Sequence, residues 1–143
     1  MYTQELKLFL LSRSFFFVSI TNDKLIQAIA RKFSQEGYPL LLLVRKKAKI
    51  EELALQNAII KEIDITNPII VGNTINNAEL AFGPTQLFIS HPGIMLLDSL
   101  MDQSPNEWEE MISINVISVL NGIKAILQPM IERKNGTIIN IIA

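Results

Sequence analysis

Apolar residues along this chain fall into short runs that alternate with longer segments of helical periodicity. Each run is bounded by glycine, proline or polar residues, which is typical of strands buried on both faces of a parallel sheet. The predicted strands are residues 15–20, 40–44, 59–65, 86–90 and 137–142. Because strands and helices alternate throughout, the pattern predicts a doubly wound parallel α/β sheet of about five strands with helices on both faces.

Four helices and one connector are predicted between the strands. The first helix carries Leu25, Ile29 and Phe33 on one face and ends near Gly37. The residues just before it, which are all good N-caps, are Thr21, Asn22 and Asp23. The other segments are a charged helix over 46–57, a helix from Pro68 to about Phe82, a connector at 96–102 and a long helix after it.

The long helix and the strand after it form the most informative stretch of the sequence. Its predicted apolar stripe consists of Trp108, Ile112, Val119 and Ile126. Asn115 falls on the same stripe, so its amide is expected where such a helix normally buries carbon. Pro129 and Gly136 are predicted to mark the end of the helix, before the β-branched strand at 137–142.

Composition excludes several classes of function. The 143 residues are 49% hydrophobic and 19% charged, with a net charge of −1, as in a globular chain of one domain, residues 1–143. A charge this close to zero gives no footprint for a nucleic-acid partner. The chain has no cysteine and one histidine, which excludes disulfides and metal sites built from Cys or His clusters.

The amino-terminal segment at 6–20 contains two apolar runs, which Arg13 separates. Neither run approaches the ~20 residues needed to span a bilayer, and no convincing signal-peptidase site follows. We therefore predict an irregular tail at 1–14, a cytoplasmic location and no membrane partner.

The last third of the chain resembles the short-chain dehydrogenase/reductase family. That family carries Trp-x-x-x-(apolar)-x-x-Asn on a helix, followed by Met-x-x-x-x-x-Gly-x-Ile-(apolar)-Asn-(apolar)-Ser-Ser. The matching residues are Trp108, Asn115, Met130, Gly136, Ile138 and Asn140. The resemblance covers essentially the whole chain, but only the first half or so of the usual family domain. It implies a Rossmann-type fold and NAD(P)-dependent hydride transfer between an alcohol and a carbonyl.

In such a fold the ligand binds beyond the carboxyl ends of the strands. After the first strand the family has glycines that let the backbone approach the pyrophosphate of the cofactor. No glycine remains in this turn. Thr21 and Asn22, which occupy it, are the candidates for cofactor contact. The helix that follows would still offer free N–H groups and a positive dipole. An ordinary capped strand-to-helix turn is the competing interpretation.

Three further loops hold candidates for cofactor contact. Arg45 follows the second strand, so the resemblance implies NADP rather than NAD; a solvated basic helix start is the alternative. Asp64 and Ile65 end the third strand, where the family contacts adenine; a capping Asp is the alternative. Gly93 survives from the family's Asn-Asn-Ala-Gly loop. His91, in the same loop, is interpreted as a loop residue rather than a catalytic one.

Catalysis in the family depends on an Asn-Ser-Tyr-Lys tetrad. By resemblance Asn115 is the first member, which holds a water of the proton relay and kinks its helix; an Asn satisfied by backbone is the alternative. The tetrad Ser aligns with Ala143, which has no hydroxyl, and neither Tyr2 nor Tyr38 lies in a Tyr-x-x-x-Lys motif. We therefore expect an oxidoreductase by family that is inactive in this chain and binds its cofactor weakly if at all.

Two other interpretations fit the sequence: a non-catalytic α/β binding or interaction protein, and a decayed gene product. Self-association is also expected, because residues 138–142 would form a flat, uncharged edge strand. The mean hydropathy of +0.30 is high for a globular domain and agrees with this expectation.

Overall fold

A computed structural model of the chain describes residues 16–20, 24–45 and 54–142. The tail at 1–14, the candidates Thr21 and Asn22, most of the predicted helix 46–57, and Ala143 lie outside these ranges. The strands are β1 Phe16–Ile20, β2 Leu40–Val44, β3 Ala58–Glu62, β4 Thr85–Ser90 and β5 Thr137–Asn140. The helices are α1 Lys24–Gln35, α2 Pro68–Phe82, α3 Pro105–Ile112 and α4 Ser118–Arg133, with a π-helical turn, Ser113–Ile117, between the last two.

The five strands form one sheet in the order β3-β2-β1-β4-β5, and every neighbouring pair is parallel. β1 lies at the centre, where Ile20 pairs with Leu43 on one side and with Ser90 on the other. The winding of the chain reverses at β1, which makes this the switch point of a doubly wound sheet. The predicted fold class is confirmed.

β2 contributes to the core on both faces of the sheet. Leu41 and Leu43 pack into one hydrophobic cluster, whose other buried members are Ile65, Val71, Ile75, Ala78, Phe88, Ile126 and Met130. The intervening residues pack into the cluster on the opposite face, which contains Ile26, Ala30, Leu40, Leu42, Val44, Leu87 and Ile89. Because successive side chains of a strand point to opposite faces, a strand buried on both faces is apolar at every position.

The predicted bounds of β2 and α2 agree with the structure. The predicted helix at 46–57 is wrong over residues 54–57, the part of it that the structure describes. Residues 54–57 are not helical, and Ala54 and Asn57 have positive φ angles of 48° and 50°. The carbonyl of Asn57 already accepts a hydrogen bond from Leu40 N at 2.9 Å, so the chain is entering β3 here.

Pro129 does not end the long helix, contrary to the prediction. α4 continues through it to Arg133, and the left-handed Lys134, with φ 53°, forms the cap. A proline inside a helix removes one backbone hydrogen bond. Burial of Ile126 and Met130 on either side of Pro129 stabilises the helical path across that gap.

The continuous helix Pro105–Arg133 is long and apolar enough to cross a membrane, judged by length and composition alone. Core helices of globular proteins pass the same test. Here Ile126 and Met130 pack into the core, while Leu120 and Ile131 are more than half exposed, at 55% and 57%. Packing on the sheet therefore explains only one side of this apolar helix.

Candidate cofactor and active site

The carboxyl ends of the strands meet at one edge of the sheet, with β1 in the middle. On one side of β1, Ser90 ends β4 and pairs with Asn140 of β5. On the other side, Val44 ends β2, and its carbonyl accepts a hydrogen bond from Ile63 N at 3.1 Å. The loops after β2, β3 and β4, which carry most of the predicted site residues, therefore open along this edge.

Arg45 is exposed and comes directly after β2. Because the preceding carbonyl, that of Val44, is bonded to Ile63 N, Arg45 lies beside the chain as it leaves β3. The backbone of Arg45 therefore lies on the same part of the edge as the turn at 64–67. Arg45 and this turn thus lie on the same side of β1, beyond the ends of β2 and β3.

Asp64 caps its own turn. Its Oδ1 accepts hydrogen bonds from Thr66 N at 2.9 Å and from Thr66 Oγ1 at 2.6 Å. Asn67 then caps α2, because its Oδ1 accepts from Ile69 N and Ile70 N at 3.0 and 3.1 Å. Both polar side chains stabilise the local backbone, which is the alternative interpretation of Asp64.

Ile65, the apolar partner of Asp64, is only 3% exposed and belongs to the hydrophobic core. Its carbonyl accepts a hydrogen bond at 3.1 Å from Asn121 Nδ2, which also donates to Thr66 O at 3.0 Å. Asn121 was missed in the sequence. The signal that could have found it is a second amide on the long apolar helix, six residues after Asn115.

The long helix widens into a π-turn where Asn115 lies. Ser118 N donates to Ser113 O, five residues back instead of four, and the Ser118 hydroxyl donates to the Ile114 carbonyl. The extra residue rotates the helix that precedes the turn. The positions that face the core are therefore Ile114, Ser118, Gly122, Ile126 and Met130.

This rotation makes the predicted stripe wrong in its first half. Ile112 and Trp108 are 56% and 39% exposed, although Ile126 is buried as predicted. Asn115 is also exposed, so its amide does not replace carbon in the core. A constant period of 3.6 residues cannot anticipate a turn that contains one residue more.

The amide of Asn115 is fully matched to one residue of the loop after β4. Its Oδ1 accepts a hydrogen bond from Ile94 N, and its Nδ2 donates to Ile94 O, both at 2.9 Å. One carboxamide thus satisfies the donor and the acceptor of a single backbone residue, in the manner of a neighbouring strand. The pair fixes the loop after β4 against the π-turn.

A cavity of ≈ 750 Å³ lies between the loop after β4, the π-turn and the end of β5. Its polar groups come from Ser90, His91, Asn115 and Asn140, and most of its remaining lining is apolar, including Ile94, Val119 and Ile141. A largely apolar cavity of this size with a few convergent polar groups is typical of a small-molecule site.

His91 and Ser90 are the buried polar residues that line this cavity. His91 is 7% exposed, and its Nδ1 is 3.1 Å from the carbonyl of Ile141, to which an Nδ1–H donates. Ser90 is fully buried, and within the described residues its Oγ has no hydrogen-bond partner. Gly93 is exposed, and a Cβ built on it would meet no atom within 4 Å. A side chain would therefore fit there.

The structure brings Asn115 and Gly93 together at one cavity, on the β4 side of β1. Arg45, Asp64 and Ile65 follow β2 and β3, on the opposite side. The predicted residues thus form two groups along the edge, with the end of β1 between them. In the part of the chain that is described, no group of three or more His, Asp or Glu could hold a metal ion.

A family model described as short chain dehydrogenase matches residues 25–143. An uncharacterized oxidoreductase of Staphylococcus aureus strain MW2 is 32% identical over 119 residues, which cover 80% of this chain and 52% of that protein. Serine dehydrogenase from Escherichia coli has a TM-score of 0.76 at 24% identity, over 87% of this chain and 60% of that one. ElxO with NADP bound has a TM-score of 0.73, also at 24% identity, over 87% and 54%.

The two solved structures share the Rossmann-type fold, and the relative and the family model add the oxidoreductase function of the family. The chain spans about half the length of the curated relatives it matches. The matched segment runs from α1 to β5 and includes both groups of candidate residues. The chain therefore belongs to the short-chain dehydrogenase family, whose members are NAD(P)-dependent oxidoreductases.

Proposed function

We propose that the chain binds a nicotinamide dinucleotide across the carboxyl edge of its sheet, weakly and with a preference for NADP over NAD. The observation that carries this proposal is the strand order, in which the winding reverses at β1. Dinucleotides bind across such a reversal. Arg45 and the turn of Asp64 and Ile65 would contact the adenosine half, and the loop of Gly93 the nicotinamide half.

Weak affinity follows from the turn after β1. Thr21 and Asn22 stand where the family has glycine, and a non-glycine residue in the left-handed conformation costs ~1–2 kcal/mol. A Cβ at these positions also keeps the backbone away from a pyrophosphate. The start of α1, with Lys24 as its first residue, still offers N–H groups and positive charge to a phosphate.

The preference for NADP rests on Arg45. An exposed arginine facing a 2′-phosphate contributes ~1 kcal/mol, which is about a 5-fold difference in affinity. Calorimetry with both cofactors measures this difference in the unchanged chain, in Arg45→Ala and in the control Arg31→Ala, an exposed arginine of α1. Only Arg45→Ala should remove the preference. Equal affinities in the unchanged chain would remove Arg45 from the site, and absence of binding to either cofactor would overturn the proposed function.

The family reaction is hydride transfer between an alcohol and a carbonyl, and we propose that the polypeptide of residues 1–143 does not catalyse it. No tyrosine of this polypeptide lies in a Tyr-x-x-x-Lys motif, and loss of a general acid or base lowers the rate by ~10²–10⁴-fold. Ala143 offers no hydroxyl to a developing oxyanion, and loss of such a donor lowers the rate by ~10²–10³-fold. The two factors need not multiply.

A spectrophotometric assay for the reduced nicotinamide at high protein concentration tests this proposal. Turnover that survives repurification and disappears in Asn115→Ala would overturn it, because an unidentified proton donor would then be required. Turnover that the substitution leaves unchanged would indicate a contaminating enzyme. Cofactor binding without turnover would agree with both proposals. Absence of binding and of turnover would favour the second candidate function, a non-catalytic α/β interaction protein, with which the missing glycines after β1 agree.

The remaining proposals concern location and partners. A cytoplasmic location, and the absence of nucleic-acid and membrane partners, fit the net charge of −1 and the family's small-molecule chemistry. Self-association through β5 is proposed as well, because within the described residues this strand forms one edge of the sheet.

A further inference from the structure

Asn121 joins the long helix to the turn after β3. Its Nδ2 donates to Ile65 O at 3.1 Å and to Thr66 O at 3.0 Å, across 56 and 55 residues of sequence. Both partners are carbonyl oxygens, so only the NH₂ end of the amide can face them, and both of its hydrogens are used. The side chain is partly buried, where a polar group with two partners is more stable than one without.

Within the described residues, the other hydrogen bonds of the turn that Asn121 contacts are local. Asp64 Oδ1 accepts from Thr66, and Asn67 N donates to the Asp64 carbonyl at 3.2 Å. The core cluster holds the side chain of Ile65. Asn121 adds the long-range contact that fixes the carbonyls of Ile65 and Thr66, and therefore the direction in which this turn faces the carboxyl edge.

Two amides of the same helix thus hold two loops on opposite sides of β1. Asn115 bonds Ile94 in the loop after β4, and Asn121 bonds the turn after β3. In the sheet, β3 and β4 are separated by β2 and β1. At about 4.8 Å per strand, the two loops are roughly 14 Å apart. The same helix therefore contacts both loops, which lie on the two sides of β1 in the proposed dinucleotide site.

We propose that Asn121 is a positioning residue for the adenosine half of this site, an inference that rests on the proposed function. Asn121 acts through the turn rather than by touching the nucleotide. It holds the Asp64 carboxylate and the adjoining backbone in the orientation that an adenine ring meets. Without the Asn121 side chain, the nucleotide would have to order the turn when it binds. The entropy lost in this ordering would weaken the affinity for adenosine.

The experiment measures amide hydrogen exchange and ligand affinity in the unchanged chain, in Asn121→Ala and in the control Asn77→Ala, an exposed asparagine of α2. In Asn121→Ala we expect the amides of Thr66 and Asn67 to exchange about 10-fold faster, as for the loss of two hydrogen bonds. The amide of Ile94 should be unchanged. Affinity for 5′-AMP should fall about 10-fold, whereas affinity for nicotinamide mononucleotide should not change.

That contrast between the two mononucleotides separates positioning from general destabilisation, which would weaken both. Unchanged exchange at Thr66 and Asn67 would overturn the inference, as would faster exchange with unchanged affinity for 5′-AMP. If the unchanged chain binds neither mononucleotide, the proposed function fails, while faster exchange in Asn121→Ala still supports the anchoring of the turn. Should Asn121→Ala not fold, Asn121→Gln retains the donor on a longer side chain and should show the same pattern with smaller amplitude.

Discussion

Asn115→Ala removes both hydrogen bonds between the π-turn and the loop after β4. Each bond joins the amide to the backbone of Ile94 at 2.9 Å. A typical hydrogen bond contributes ~0.5–1.5 kcal/mol to stability, so the pair contributes ~1–3 kcal/mol. The lower half of this range, ~1–2 kcal/mol, applies because Asn115 is exposed and water can replace its amide. Replacing Asn by Ala also raises helix propensity by roughly 0.6 kcal/mol, which opposes the loss.

Urea unfolding of Asn115→Ala and of the control Asn77→Ala separates the two effects. Asn77 is exposed on α2, so its replacement measures the gain in helix propensity alone. We expect Asn77→Ala to unfold at a higher urea concentration than the unchanged chain, and Asn115→Ala at a lower one. The free energies of unfolding of the two variants should differ by ~1–2 kcal/mol. Equal free energies of unfolding for the two variants, or unchanged amide exchange at Ile94 in Asn115→Ala, would show that the hydrogen bonds of Asn115 do not stabilise the loop.

Two further substitutions test the end of the helix and the edge of the sheet. Gly136→Ala should lower the free energy of unfolding by ~1–3 kcal/mol, because its Cβ would clash with the Met130 side chain and φ there is +153°. Gly72→Ala, with open space around it, should be neutral or stabilising, and a Gly136→Ala variant as stable as Gly72→Ala would contradict this packing. In the 143-residue polypeptide, Ile139→Lys should reduce self-association, measured by size-exclusion chromatography at tens of micromolar, because an edge lysine blocks strand pairing. The control is Ile131→Lys, on the exposed side of α4. An equal reduction by the control, or an unchanged chain that is monomeric, would count against pairing through β5.

The architecture could be predicted because each strand is a short apolar run with clear boundaries. β2 is the best example: Leu40–Val44 is apolar at every position and buried at every position. α2 was equally well marked, by Asn67 as N-cap, Pro68 in the first turn and Gly83 after the last. The errors fell where tertiary packing overrides a local signal. Pro129 is a helix-breaking residue that the core keeps within α4.

The candidate site was less predictable, because its side chains act through backbone groups that a sequence does not display. Asn115 was recognised from its motif, but its partner Ile94 lies 21 residues away in a loop of no regular pattern. Asn121 has partners even more distant in sequence. Asp64 matches the family's adenine position, and its two hydrogen bonds from Thr66, both to Oδ1, favour the alternative interpretation as a turn cap.

Several residues that match the family motif have a structural explanation that needs no catalysis. Met130 lies over Gly136, where the missing Cβ leaves room for the methionine. Trp108 Nε1 donates to Gln103 Oε1 at 3.0 Å and fixes the connector at the start of α3. Asn115 holds the loop of Ile94. The motif would therefore stabilise this half of the fold whether or not a proton is transferred.

Several positions that differ from the family are, in contrast, ones at which the family contacts the cofactor or the reacting groups. The glycines after β1 and the Asn-Asn-Ala of the loop after β4 are replaced, and Ala143 stands in place of serine. A matching motif thus supports the fold more strongly than it supports catalysis in the polypeptide of residues 1–143. Binding of 5′-AMP and NADP is consequently a more informative measurement than turnover. It tests the proposed adenosine half, which contains Arg45 and Asp64, independently of the reacting groups.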